Sequence, residues 1–472
     1  MRLFSNVTTK FSILFVVFSI TFSNPAYSVL PDLTATKDER SLASASYVVG
    51  QHWFRKLNGS ASVINFPPAY DYLKEALSHI LPQTSLYNKM VEMTLLNSTQ
   101  TNAFVIPGNH LFIYSDIMEM ITNEDMLYGL LAHEVAHLDL NHYERQTQHS
   151  SEEFNKNLLL IGAGFAAALA GADPDASAAL WIGGMANQVD GLLTYSRAQE
   201  QEADRHGRQY LVEAELNPQG MNELFNGLAK ASIGRPELEF LSSHPLPQTR
   251  MADSLSMESP KSILESTHDD NFNYFRATLL TYRATLADDP YQYLAHSVPD
   301  AGSDITNFAF ALLNYLDQSP KKALTYLTKL STHNRFTQYL LVSALKADNQ
   351  DDKALALTRA QLNLAPKDIL FSTLYAELTH SKPKEIKTPY LYQRKLMWQA
   401  YMNYYQGINN IPMALNYKAQ FEFSQGKDKQ AERLLKRAKK DISLQDKEIL
   451  KNTQEYFDRI KEVEKNADIN DK

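Results

Sequence analysis

The sequence predicts a mainly α chain with one small β element, an α+β first half followed by an α-solenoid. Three observations point there. Apolar residues recur at helical spacing along most of the chain, residues 102–114 read as a β-hairpin, and small residues beyond residue 265 recur at the offsets of stacked helix pairs. At 472 residues the chain is too long for one core. We divide it into a leader over 1–28, a first domain over 29–264 and a repeat domain over 265–472.

In the leader, Arg2 and Lys10 flank the apolar run Phe11–Phe22, and Ala26-Tyr27-Ser28 offers a small-x-small cleavage site. This is the pattern of a secretory signal peptide, and its apolar run falls short of the roughly 20 residues a spanning helix needs. No Cys follows Ser28, so no lipoprotein anchor can form there; with no Cys anywhere, disulfides and thiol catalysis are excluded. Cleavage removes two cations and no anions, taking the formal charge from −8 to −10. That balance argues against non-specific nucleic-acid binding. The expected location is a bacterial periplasm.

Residues 29–100 carry helical periodicity, through Tyr47, Val48, Trp53 and Leu57 and then Tyr70, Leu73, Ala76, Leu77 and Ile80. They read as scaffold helices. Two apolar runs joined by Pro107-Gly108 then make the hairpin 102–114. It reads equally as a core hairpin or as one whose free edge pairs with an extended peptide. His110 within it reads as structural.

The first half is organised around Leu130-Leu131-Ala132-His133-Glu134-Val135-Ala136-His137-Leu138. His133 and His137, four apart, share one helical face and together can hold one Zn²⁺. Glu134, rotated by about 100° from His133, stands beside the open position, where it can take a proton from water. Met126, Leu127, Leu130, Leu131, Val135 and Leu138 mark a buried helix, with Asn123 as N-cap and Glu124 and Asp125 in the first turn. The helix is expected to run on through His142, Tyr143 and Arg145, with His142 facing away from the metal. Tyr143 stands where the metzincin pattern has its third histidine, so the third ligand must come from farther along.

Residues 158–170 and 178–186, rich in Gly and Ala, read as a helical hairpin too short to span a membrane. Farther on, Glu200 and Asp204 share a helical face in Arg197-Ala198-Gln199-Glu200-Gln201-Glu202-Ala203-Asp204, while Glu202 points elsewhere. Glu200 is expected to complete a His₂Glu site, with Asp204 accepting the far ring N–H of a ligand histidine; the alternatives are Glu202 as ligand, or a solvated charged face. His244 lies in the rigid loop Ser243-His244-Pro245-Leu246-Pro247-Gln248-Thr249-Arg250. It could reach the open metal position or stabilise a tetrahedral oxyanion.

These pieces together resemble the zinc metalloprotease family that includes HtpX and the CAAX prenyl proteases. The resemblance rests on His133-Glu134-x-x-His137, Glu200-x-x-Ala203-Asp204, Asn102-Ala103-Phe104 with Pro107-Gly108, and His244-Pro245 with Arg250. It implies a gluzincin-type domain in which His133, His137 and Glu200 bind one Zn²⁺, Glu134 is the general base and Asp204 orients a ligand. It also implies that His244 lies near the metal and regulates access to it, with Arg250 as its supporting partner. The leader and the short Gly/Ala hairpin point to a soluble periplasmic branch. For that branch the resemblance implies unfolded or misassembled outer-membrane β-barrel proteins as substrates, and the outer-membrane β-barrel assembly machinery as a partner.

Beyond residue 265, Ala419, Ala431 and Ala438 sit at offsets of twelve and seven, and Ala311 and Ala323 share the first offset. Ala354 and Pro366 continue the pattern. These are the positions where the helices of a tetratricopeptide repeat touch, and such solenoids offer a concave groove to peptides or proteins. The sequence thus reads as a periplasmic zinc endopeptidase with a substrate-recruiting repeat domain and at most peripheral membrane contact. Its rival is a chaperone or assembly scaffold with latent proteolysis.

Overall fold

The structure, a computed structural model, describes residues 45–147, 195–232, 240, 244–245, 250, 270–298, 302–444, 446–467 and 469. The expected leader 1–28 and the Gly/Ala hairpin 158–186 lie outside the described residues. Helices α1 (Ala45–Leu57) and α2 (Pro67–Ile80) precede a three-stranded sheet of β1 (Glu92–Leu96), β2 (Ala103–Ile106) and β3 (His110–Tyr114). Strands β2 and β3 form the antiparallel hairpin, closed by Gly108 at φ 90° and Asn109 at φ 59°.

Strand β1 pairs in parallel with β3, giving the order β1-β3-β2. The sequence reading, which assigned helices throughout this region, missed β1. Its residues, Glu-Met-Thr-Leu-Leu, are buried along their whole length, and polar and apolar residues alternate only as far as Leu95. The burial of both sheet faces explains that. Met93, Leu95, Ala103, Val105, Leu111 and Ile113 enter one core. Leu96, Phe104, Ile106, Phe112 and Tyr114 enter another. Successive strand residues point to opposite faces, so a sheet with a core on each side buries every position, and the buried polar Glu92 and Thr94 are held by the Leu391 N–H and Asn58.

The first core gathers α2, α3 (Glu124–Asp139), α5 (Arg197–Glu213) and α6 (Gln219–Ser232), with α4 (His142–Thr147) following α3 in the chain. It continues into α7 (Asp270–Ala284), α8 (Pro290–Ser297), α9 (Asp304–Leu316), α10 (Pro320–Leu327) and α11 (Arg335–Ala347). Then follow α12 (Asp351–Leu364), α13 (Ile369–Thr379), α14 (Leu391–Gly407), α15 (Ile411–Phe423), α16 (Asp428–Ala438) and α17 (Lys447–Asn466). From α9 to α16 each helix packs on the next. Ala311, Ala323, Ala354, Ala419, Ala431 and Ala438 are all fully buried in this stack. A methyl side chain lets two helix backbones approach closely, which is why alanine carries the spacing signal.

The second core folds the end of the chain back onto its beginning, packing α14 to α17 against α1 and the far face of the sheet. A buried charge cluster fixes this contact. Arg55 of α1 donates to Asp428 at 2.7 Å and Glu464 at 2.6 Å and lies over the Phe423 ring, while His52 Nδ1 is 3.1 Å from Glu464. Among the described residues no helix is long and apolar enough to cross a membrane.

Candidate metal centre

Helix α3 begins where Asn123 accepts the Met126 N–H at 2.9 Å, as the sequence suggested. Every residue from Met126 to Leu138 is buried. The helix ends at Asp139, sooner than expected. Asn141 takes φ 49°, a left-handed turn that Asn tolerates, and α4 restarts at His142. Asp139 pins this end, accepting from Ser85 and from Tyr210 of α5.

Helix α5 opens with a capping box between Ser196 and Gln199 and packs directly on α3. The close approach uses Gly207, where a Cβ would come within 3.0 Å of the Ala132 carbonyl. That contact sets Glu200 and Asp204 against the histidine face.

Four side chains converge. One ligand atom from each of His133, His137, Glu200 and His244 lies within 4.8 Å of the other three, and all four residues are buried. His133 Nε2 stands 3.1 Å from His137 Nε2, 3.5 Å from Glu200 Oε2 and 3.4 Å from His244 Nδ1. His137 Nε2 is 3.4 Å from Glu200 Oε1. A tetrahedral ion with ligands at about 2.0–2.2 Å spaces its ligand atoms roughly 3.3–3.6 Å apart, so these separations and this three-nitrogen, one-carboxylate donor set fit Zn²⁺.

Around this group, His133 Nδ1 lies 3.0 Å from Asp204 Oδ1. Arg250 grips Asp204 through Nε and Nη2 at 2.7 and 2.8 Å, reaches Glu200 at 2.6 Å and donates to the Pro245 carbonyl. One guanidinium thereby ties the α5 carboxylates to the loop that carries His244. Glu134 is fully buried, with neither oxygen hydrogen-bonded among the described residues; His244 Nε2 stands 3.6 Å from Oε1.

Burial raises the Glu134 carboxyl above its usual range, against the pull of His244 and His133. Burial also works to raise Glu200, but His244, His137 and His133 outweigh it and hold that carboxyl well below the usual range. Two carboxylates in one pocket are thus pushed apart, one toward holding a proton and one toward staying charged.

The expected site residues His133, Glu134, His137, Glu200, Asp204, His244 and Arg250 therefore come together. His110 lies elsewhere, buried and stacked on Phe54 at 4.0 Å. Sequence reasoning missed two neighbours. Tyr195 stacks on His137 at 3.9 Å. His142 stands outside the converging group, as expected, yet with the helix broken at Asn141 its Nδ1 lies 2.9 Å from His137 Nδ1, on the far side of that ring. Glu202, expected to point elsewhere, is 3.2 Å from His142 Nε2. Asn141, two residues after Asp139, was the available signal for that break.

Residues 69–258 match the profile of peptidase family M48. This stretch is similar to the peptidases of family M48. It contains every residue of the converging group. The chain is also 29% identical over 228 residues to the beta-barrel assembly-enhancing protease of Escherichia coli K12, covering 48% of this chain and 46% of that protein. It is 28% identical over 232 residues to the protein of that name from Yersinia pestis, covering 49% and 47%. The mitochondrial metalloendopeptidase OMA1 of Schizosaccharomyces pombe is 28% identical over 197 residues, covering 41% of this chain and 54% of its own. The chain spans about half the length of the curated relatives it matches.

Proposed function

We propose that the chain is a periplasmic, zinc-dependent endopeptidase that acts on unfolded or misassembled outer-membrane β-barrel proteins and supports their assembly. The observation that carries the peptidase reading is the set of four converging ligand atoms beside a buried Glu134 that has no hydrogen bond among the described residues. The β-barrel substrate class is supported by the names of the Escherichia coli and Yersinia pestis relatives.

In this reading His133, His137 and Glu200 hold one Zn²⁺ per chain. Bound zinc supplies Lewis acidity toward a carbonyl oxygen and a water. The chain supplies the rest. Glu134 takes the proton of the attacking water and returns it to the leaving amine, a task suited to a carboxyl raised by burial. Asp204 and Arg250 fix the ring of His133. The substrate lies extended along the outer edge of β2, which packs against α3 and has no strand partner on that side among the described residues.

The stack from α9 to α16, with buried alanines at its contacts, acts as a tetratricopeptide-like domain over 265–472 that recruits substrate or the assembly machinery. The first domain would comprise 29–264 and the cleaved leader 1–28. A chaperone or scaffold with latent proteolysis is the second reading, favoured by His244, whose Nδ1 sits where a fourth ligand would. The test is cleavage of an unfolded β-barrel protein by the full chain, treated with chelator and then resupplied with zinc. Loss and recovery of cleavage supports the peptidase; no cleavage by the zinc-loaded chain, alone or with His244→Ala, overturns it in favour of the scaffold.

A further inference from the structure

We propose that His142 and Glu202 are positioning residues that fix the ring of His137, an inference that rests on the zinc-site reading above. A neutral imidazole that offers Nε2 to a metal must carry its proton on Nδ1. His137 turns Nε2 toward His133 and Glu200 and Nδ1 toward His142 Nδ1, 2.9 Å away. His137 Nδ1–H is then the donor and His142 Nδ1 the acceptor. The proton of His142 must sit on Nε2, which faces Glu202 Oε2 at 3.2 Å. Glu202 in turn accepts from Arg145 at 2.9 Å. Each tautomer follows from the one before it.

The opposite ligand has the same support in shorter form, since His133 Nδ1 meets Asp204, which Arg250 holds. Both ligand histidines are therefore backed by a carboxylate–arginine pair, directly for His133 and through one imidazole for His137. The break in the helix at Asn141 makes the longer chain possible, and the bond from Gln199 to the His142 carbonyl at 2.9 Å holds α4 in place. A ligand histidine deprived of its orienting partner loses metal affinity by about 10–100-fold.

The experiment measures the zinc dissociation constant by chelator competition for the full chain, His142→Asn and His142→Phe, with melting of the metal-free proteins as a check on folding. Asn keeps an acceptor oxygen near the place of Nδ1; Phe keeps the ring and lacks the acceptor. The proposal expects near-native affinity for H142N, about 10–100-fold weaker binding for H142F, and matched apo-protein melting. Equal affinity across all three, or equal weakening of both variants, overturns it. Absence of stoichiometric zinc in the unsubstituted chain overturns the zinc-site reading instead.

Discussion

Asp204 Oδ1 stands 3.0 Å from the Nδ1 atom of His133, on the side of the ring away from the converging ligand atoms. Burial works to raise its carboxyl, but the hydrogen bonds from Arg250 and the facing His133 outweigh it and hold it below the usual range. An anion fixed there keeps the His133 proton on Nδ1 and leaves Nε2 free. Asp204→Ala is expected to weaken zinc binding by about 10–100-fold, measured by chelator competition.

His244 closes the remaining side of the group, with Nδ1 3.0 Å from Glu200 Oε1 and Nε2 facing Glu134. A substrate carbonyl needs that space. His244→Ala is expected to raise kcat/KM on an unfolded substrate several-fold, roughly the removal of 1–2 kcal/mol of blocking interaction. Unchanged activity in zinc-verified protein would show that His244 is no cap; a large loss would make it a stabiliser of the oxyanion.

Gly129 lies where α6 crosses α3, and a Cβ there would meet the Met221 backbone at 2.7 Å. The neighbouring atoms are main chain and cannot swing aside. Gly129→Ala should lower stability by about 1–3 kcal/mol despite its gain in helix propensity, read as a shift in the denaturant midpoint.

The cluster joining α1 to α17 sets an acid limit. Burial works to raise Glu464, but His52 and Arg55 outweigh it and bring it down to about 2. A carboxylate depressed on folding gives stability that is complete above its ordinary value and lost as pH falls toward the folded value. Stability should therefore decline between pH ~4.5 and ~2, with Glu464 contributing about 1–3 kcal/mol of the loss. Glu464→Gln should be less stable at neutral pH and show a flatter decline over that window in denaturant titrations.

The two helical pairs of the candidate site were legible because their spacing is local, four residues from His133 to His137 and four from Glu200 to Asp204, whereas the role of Arg250 came only from the resemblance. The fold was legible in its helices and hairpin. Strand β1 was not, since its alternation of Glu92 and Thr94 with Met93 and Leu95 spans only four residues before the apolar Leu96, too short a run to stand out from the helical spacing before it. The contact of His142 with His137 was hidden for another reason. It depends on a helix stopping at Asn141, and a helical wheel drawn through that residue sends His142 the wrong way. The packing of α17 against α1 involves residues about 400 apart in the chain, Arg55 and Glu464, and no local pattern encodes such a contact.

The most direct test of the central claim compares Glu134→Gln with the unsubstituted chain, measuring bound zinc and cleavage of an unfolded β-barrel protein in the same preparations. Glu134 touches no ligand atom at bonding distance, so the substitution should leave zinc in place and abolish turnover. Stoichiometric zinc in both proteins with cleavage only by the unsubstituted chain is the predicted result. Zinc absent from both, or cleavage by Glu134→Gln at the native rate, would contradict the account.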